Sequence, residues 1–96
     1  MKAYWVVMYR QITDRDAWNA YGKLARPALQ KAGGKFLVGG MPAATWEKGM
    51  NERVVIVEFE SVQKALDAHE SPDYQAALKA LGNGAARDMR VVEGLV

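Results

Sequence analysis

Residues 53–60 read RVVIVEFE, a run of branched apolar residues too short for a typical helix and rich in the residue types that strands favour. Side chains alternate between the two faces of a strand, so Val55, Val57 and Phe59 share one face and Val54, Ile56 and Glu58 the other. Both faces are apolar, and Glu58 is the one charge inside the run. An antiparallel strand with one face in water alternates apolar with polar residues. This strand therefore asks for cover on both sides: helices of its own chain on one, a second copy of the chain on the other.

Working outward, residues 3–10 (AYWVVMYR) are β-branched and aromatic apart from Ala3 and Met8, and form a first strand that is also apolar on both faces. Thr13, with Asp14 beside it and Asp16 three residues on, marks a helix start with a capping side chain and negative charge in the first turn. Trp18, Tyr21, Ala25, Ala28, Leu29 and Ala32 then recur at spacings of three and four, one apolar stripe. Pro27 interrupts it, which predicts a kink or two short helices, and Gly33–Gly34 end it. Residues 35–40 (KFLVGG) read as a short second strand. Residues 41–52 (MPAATWEKGMNE) have little periodicity and read as a loop. Trp46 within it suits a lid or dimer arm, or a loop folded back over its own sheet.

Ser61 caps a second helix whose apolar face is predicted to carry Val62, Ala65, Leu66 and His69. Ser71-Pro72-Asp73 restarts the helix with a serine cap, a proline at the first helical position and an acid in the first turn. Tyr74, Ala77, Leu78 and Leu81 continue the stripe to a stop at 82–84, and Met89–Val96 forms the last strand, ending or bulging at Gly94. The order is βαββαβ with the second helix broken. This predicts an α+β, ferredoxin-like domain with one four-stranded antiparallel sheet over residues 1–96. Its helices cover only one sheet face. The other would be an apolar patch of several hundred Å², which predicts a homodimer with its sheets face to face about a two-fold axis.

Composition narrows the chemistry. Ninety-six residues make one domain, half of them apolar and a quarter charged. The absence of cysteine removes disulfides, thiolate metal sites and cysteine nucleophiles, and a single histidine removes a multi-histidine metal site within one subunit. The N-terminus lacks the pattern of a signal peptide, and no run approaches the ~18 apolar residues of a membrane span. The expected location is the cytoplasm, with no membrane partner. The net charge of +2 is mild; Lys23, Arg26, Lys31 and Lys35 cluster near the end of the first helix, as a solvated face or a patch for an anion or nucleic acid. The RNA recognition motif shares this strand order, but the third strand lacks its lysine-glycine-aromatic pattern, so no nucleic-acid partner is expected. No phosphate-binding glycine loop, nucleophile elbow or His-x-x-x-His pair is present.

With the elements placed, the chain resembles the domain-of-unknown-function family numbered 1330, within the dimeric α+β barrel superfamily. The resemblance rests on Tyr4-Trp5, Thr13-Asp14, Ala20-Tyr21, Pro27 and Gly33-Gly34-Lys35-Phe36-Leu37. It continues through Gly39-Gly40, Arg53, Glu58-Phe59, Ser61 with Ala65, Ser71-Pro72-Asp73-Tyr74-Gln75 and Val92-Glu93-Gly94. It implies a barrel-like dimer and brings no reaction of its own. Some relatives in the superfamily oxidise, isomerise or cyclise aromatic or polyketide-like compounds without a metal or organic cofactor, and distant members bind haem. Three positions depart from the family pattern: Trp46-Glu47-Lys48-Gly49 replaces a Glu-Gly pair, Leu81 an arginine, and His69 an aromatic.

The candidate catalytic residues are His69 and Glu58. Imidazole exchanges protons near neutral pH or ligates a metal or haem iron, although a lone histidine on an apolar stripe can equally be a packed one. Glu58, inside an apolar strand face, needs a cationic partner or a raised pKa. Arg53, Arg10 and Arg90 are the candidate partners, and its role is a structural ion pair or a general base. Trp5, Tyr9, Trp18, Tyr21 and Trp46 either wall an aromatic-ligand pocket between sheet and helices or are core. Arg53 and Tyr74 complete the ligand-binding set, with no metal or cofactor expected. Two functional classes follow: a small cofactor-independent enzyme acting on an aromatic or polyketide-like compound, and a dimeric binding or structural protein that holds a ligand without turning it over.

Overall fold

A computed structural model describes residues 1–96. In chain order the elements are β1 (Ala3–Ile12), α1 (Arg15–Lys31), β2 (Lys35–Gly40), β3 (Val54–Phe59), α2 (Val62–Glu70), α3 (Pro72–Leu81) and β4 (Ala85–Glu93). The strands form one antiparallel sheet in the order β2-β3-β1-β4, the ferredoxin-like arrangement. The molecule is a slab of 31 × 31 × 15 Å, one sheet and one helical layer thick. No helix is long and apolar enough to cross a membrane.

Alternation along the central strands divides the two faces. Ala3, Trp5, Val7 and Tyr9 of β1 and Val57 and Phe59 of β3 are buried beneath the helices. Tyr21, Ala25, Ala28 and Leu29 of α1, Ala65 and Ala68 of α2, and Tyr74, Ala77 and Leu81 of α3 complete that single core. The opposite face carries Tyr4, Val6 and Met8 in register with Glu58, Ile56 and Val54, and with Val92, Arg90 and Asp88 on the other side. No element of the chain lies across most of this second face. Close packing needs a glycine where α1 turns into β2: a Cβ on Gly34 would stand 2.8 Å from the Leu29 carbonyl oxygen and 2.9 Å from Val57. The turn from α1 into β2 thus seats directly on the core.

Several local expectations are corrected. The cap of α1 is Asp14, whose carboxylate accepts from the Ala17 N–H at 3.0 Å. Thr13 instead donates its hydroxyl to the Asn83 carbonyl at 3.1 Å. Helix α1 continues through Pro27 as one helix. The proline is on the exposed side, and burial of Ala25, Ala28 and Leu29 beside it offsets the missing hydrogen bond. Strand β4 begins at Ala85, four residues before Met89, and ends at Glu93. Residues 85–88 have weak strand propensity, but Ala85 and Ala86 pair with Ile12 and Gln11, and the Gly84 carbonyl accepts from the N–H groups of both Thr13 and Asp14. Tertiary pairing overrides propensity here. Leu66 is 45% exposed, so the buried stripe of α2 is Ala65 and Ala68, with His69 at its edge.

Candidate functional site: a donor-lined cleft between the sheet and the first helix

A cavity of about 560 Å³ lies between α1 and the helix-covered face of β1, β3 and β4. Trp5, Val7 and Tyr9 form its floor with Val55 and Val57; Trp18, Tyr21, Ala25 and Leu29 of α1 form its roof, and Phe36 closes one side. Two arginines come to it from strands on either side of β1. Arg87 of β4 is the register partner of Tyr9. On the other side the Tyr9 N–H donates to the Arg53 carbonyl at 2.9 Å, which sets Arg53 beside Tyr9 at the start of β3. Two strand spacings separate the arginine backbones, roughly 10 Å, and Tyr9 lies between them.

The polar groups form two connected sets. Arg87 Nη1 donates to the Tyr21 hydroxyl at 2.9 Å, and the Tyr21 and Tyr74 hydroxyls are 2.9 Å apart. Tyr74 is fully buried, and its hydroxyl has no other partner in the chain. Either phenol can donate in this contact, so the pair carries one proton more than their shared bond uses. In the second set Trp18 Nε1 donates to the Tyr9 hydroxyl at 3.0 Å, which leaves the Tyr9 proton unclaimed in the same way. The guanidiniums also lie against rings: Arg87 is 4.8 Å from the Tyr21 centroid and 5.6 Å from that of Tyr9, and Arg53 is 5.5 Å from that of Trp18.

Burial, and then the neighbouring Tyr74, push the Tyr21 phenol far above its ordinary value despite the opposing pull of Arg87. Tyr21 is therefore a proton donor throughout the physiological range. For Arg87, burial works against the charge, and the oxygens of Tyr21, Tyr74 and Tyr9 more than offset it. The raised phenol has a consequence for folding. Unfolded Tyr21 loses its proton near pH 10 while folded Tyr21 keeps it, so its contribution is fully present below about pH 10 and is lost as the pH rises from there toward the folded value. Urea midpoints measured between pH 8 and 11 are expected to fall more steeply for the wild type than for Tyr21→Phe; equal slopes would show that this phenol titrates freely.

Of the residues read from the sequence, Trp5, Tyr21 and Arg53 line the cleft, together with Tyr9 and Trp18. Tyr74 stands behind it, its ring 5.0 Å from that of Trp5. Of the basic cluster, Lys23 and Arg26 border the cleft, Arg26 lying 4.8 Å from the Phe36 centroid, while Lys31 reaches Asp73 of α3 at 3.4 Å. Trp46 is elsewhere: it is 78% exposed, in a loop beside Met8, Arg10 and Val54 on the opposite sheet face.

His69 is also outside the cleft. It borders a smaller groove with Trp5, Leu66 and Met89, its Nδ1 2.5 Å from a Glu70 carboxylate oxygen and its ring 5.3 Å from that of Tyr74. Glu58 lies on the face away from the helices, and its partner is Lys2 rather than any of the three arginines. Arg90 and, at 3.9 Å, Arg10 are instead turned to Asp88. No three His, Cys, Asp or Glu side chains converge as a metal site.

Arg87 is the residue that sequence reasoning missed. With the last strand begun at Met89, it fell in a turn. The signal was the alternation of Ala85, Arg87, Met89 and Val91, which places an arginine on an inward face once the strand is extended.

The fold is shared with proteins of known structure at low identity. A protein of unknown function from Rhodopseudomonas palustris, RPA0582, superposes with a TM-score of 0.78 at 18% identity, over 99% of this chain and 83% of that one. SnoaB, a cofactor-independent oxygenase from Streptomyces nogalater, solved as a point mutant, does so with a TM-score of 0.61 at 11% identity, over 99% and 94%. An ethyl tert-butyl ether d (ethd) family protein from Bacillus halodurans gives 0.64 at 14%, over 99% and 100%. No curated protein matches the chain. The family described as Domain of unknown function (DUF1330) matches residues 2–95, nearly the whole length, and the chain belongs to that family.

Proposed function

We infer that the protein is a homodimer that takes a small aromatic or polyketide-like molecule into the cleft between its sheet and α1. The observation that carries this is the cavity itself: about 560 Å³, with aromatic walls and a few convergent polar groups, the character of a small-molecule site. The dimer follows from the other sheet face, where Val6, Val54 and Ile56 are only partly covered and Met8 and Val92 are exposed. A second sheet stacked on the first buries that face, and the exposed Trp46 suits an arm laid against the partner.

The cleft supports binding before turnover. Its side chains that carry polar atoms are indoles, phenols, guanidiniums, one amine and one amide, none of which exchanges a proton near neutral pH. The two residues with the chemistry of a base, His69 and Glu58, are outside it, and Glu58 is held in an ion pair. Cofactor-independent chemistry is the second reading, and the Arg87–Tyr21 pair favours it: an adjacent guanidinium and phenol can stabilise an oxyanion developing on a bound aromatic. A thermal-shift screen of aromatic compounds separates the readings when its hits are followed by an aerobic turnover assay. Hits are expected that lose affinity in Tyr21→Phe and keep it in His69→Ala. Hits that depend on His69 would move the site to the smaller groove, and product formation that Tyr21→Phe abolishes would establish the enzyme.

A further inference from the structure

We propose that the ligand of this cleft is an anion, an aromatic carboxylate whose ring lies among the aromatic walls and whose carboxylate is held between Arg87, Arg53 and the phenols of Tyr9 and Tyr21. Four cationic side chains border the cavity (Lys23, Arg26, Arg53 and Arg87), and no aspartate or glutamate does. Arg87 is partly buried, and its one hydrogen bond within the chain goes to a neutral phenol. Arg53 takes part in no ion pair; the acids that are paired meet Lys2, Arg10, Lys31, Lys64, His69 and Arg90 instead. A charge withdrawn from water without a counter-ion is costly, and here two such charges flank one tyrosine on the same sheet face.

The hydrogen-bonding capacity of the site has the same sign. The indole N–H of Trp5 is spent on the Ala65 carbonyl at 2.9 Å and that of Trp18 on Tyr9. The free capacity comprises the proton of Tyr9, the one proton of the Tyr21–Tyr74 pair that their shared bond does not use, and the remaining guanidinium N–H groups. All of these donate, and among the lining side chains only Asn19 contributes an unengaged carbonyl-type acceptor. A neutral hydrocarbon would leave these donors unsatisfied. A carboxylate is planar, carries two acceptor oxygens and matches the fork of a guanidinium, while the indoles and Phe36 accommodate a ring.

Such a ligand presupposes that the cleft is the binding site, so the test carries a matched neutral series. Benzoate, 2-naphthoate and 9-anthroate are titrated calorimetrically alongside the corresponding carboxamides, against the wild type, Arg53→Ala, Arg87→Lys and, as a remote charge control, Lys79→Ala. The carboxylates are expected to bind at least tenfold more tightly than their amides. Arg53→Ala is expected to weaken them by about 10- to 100-fold and leave the amides within about twofold. Arg87→Lys keeps the charge but loses the fork, and is expected to weaken the carboxylates by a smaller factor. Lys79→Ala is expected to change nothing. Amides that bind as well as the acids, or an Arg53→Ala variant that weakens both series equally, would overturn the anion and leave the cleft standing. Binding by neither series would overturn both.

Discussion

Replacing Tyr74 with alanine is expected to cost about 3–5 kcal/mol of folding stability, which for a domain of this size is a large share of the total. Tyr74 has no exposed surface. Its ring meets Trp5 edge-on at 5.0 Å and Tyr21 at 6.1 Å, and joins α3 to both the sheet and α1. Ser71 fixes its position by accepting from the Tyr74 N–H at 3.3 Å and donating to the Ala68 carbonyl at 2.8 Å, so one serine closes α2 and opens α3. Truncation to alanine removes the ring from a site walled by two helices and a sheet, and these cannot all collapse into the space. Tyr74→Phe keeps the ring and loses only the hydroxyl, and is expected to cost about 1 kcal/mol. Denaturant unfolding at matched protein concentration distinguishes the two. A Tyr74→Ala loss as small as that of Tyr74→Phe would show that the core relaxes around the missing ring.

Ile56→Glu is expected to convert the protein from dimer to monomer at micromolar concentration. Ile56 sits in the middle of the open sheet face, paired with Val6 of β1 on one side and Val38 of β2 on the other. In a face-to-face dimer the substitution occurs twice across one two-fold interface, and each glutamate loses water with no partner charge. That penalty is several kcal/mol, enough to weaken association at least a hundredfold. Light scattering is expected to report twice the 10.6 kDa chain mass for the wild type and the single chain mass for the variant. Leu66→Glu, on an exposed turn of α2, is expected to leave the mass unchanged. A wild-type chain that is monomeric at that concentration would remove the dimer, and with it the explanation for the two-faced strands.

The architecture was legible because its signals are local. The branched apolar run at residues 53–60 identifies a strand, and the spacing of three and four in residues 18–32 and 74–81 identifies which face of each helix is buried. The serine caps of α2 and α3 and the glycines after α1 and α3 mark the ends. What misled was also local: Leu66 falls on the period of α2, yet a nine-residue helix buries only a narrow edge, Ala65 and Ala68. Pro27 reads as a break when taken alone, but packing on both sides of it carries α1 through. The assignments to His69 and Glu58 came from residue chemistry and from position on an apolar face, neither of which says where a side chain ends up relative to a cavity.

By itself, then, the sequence determined the order of the elements, the ferredoxin-like class and the demand of β1 and β3 for cover on both faces. Those properties follow from the periods of strand and helix, which are readable within a dozen residues. Only the tertiary structure decided that Arg53 and Arg87 stand on either side of Tyr9, that Tyr74 from α3 supports Tyr21 of α1, and that Glu58 is spent on Lys2. Each of these depends on strand register or helix docking between segments tens of residues apart. RVVIVEFE announces a strand with two apolar faces, and the pairing of its first arginine with Tyr9 brings Arg53 to the cleft that Arg87 enters from the other side.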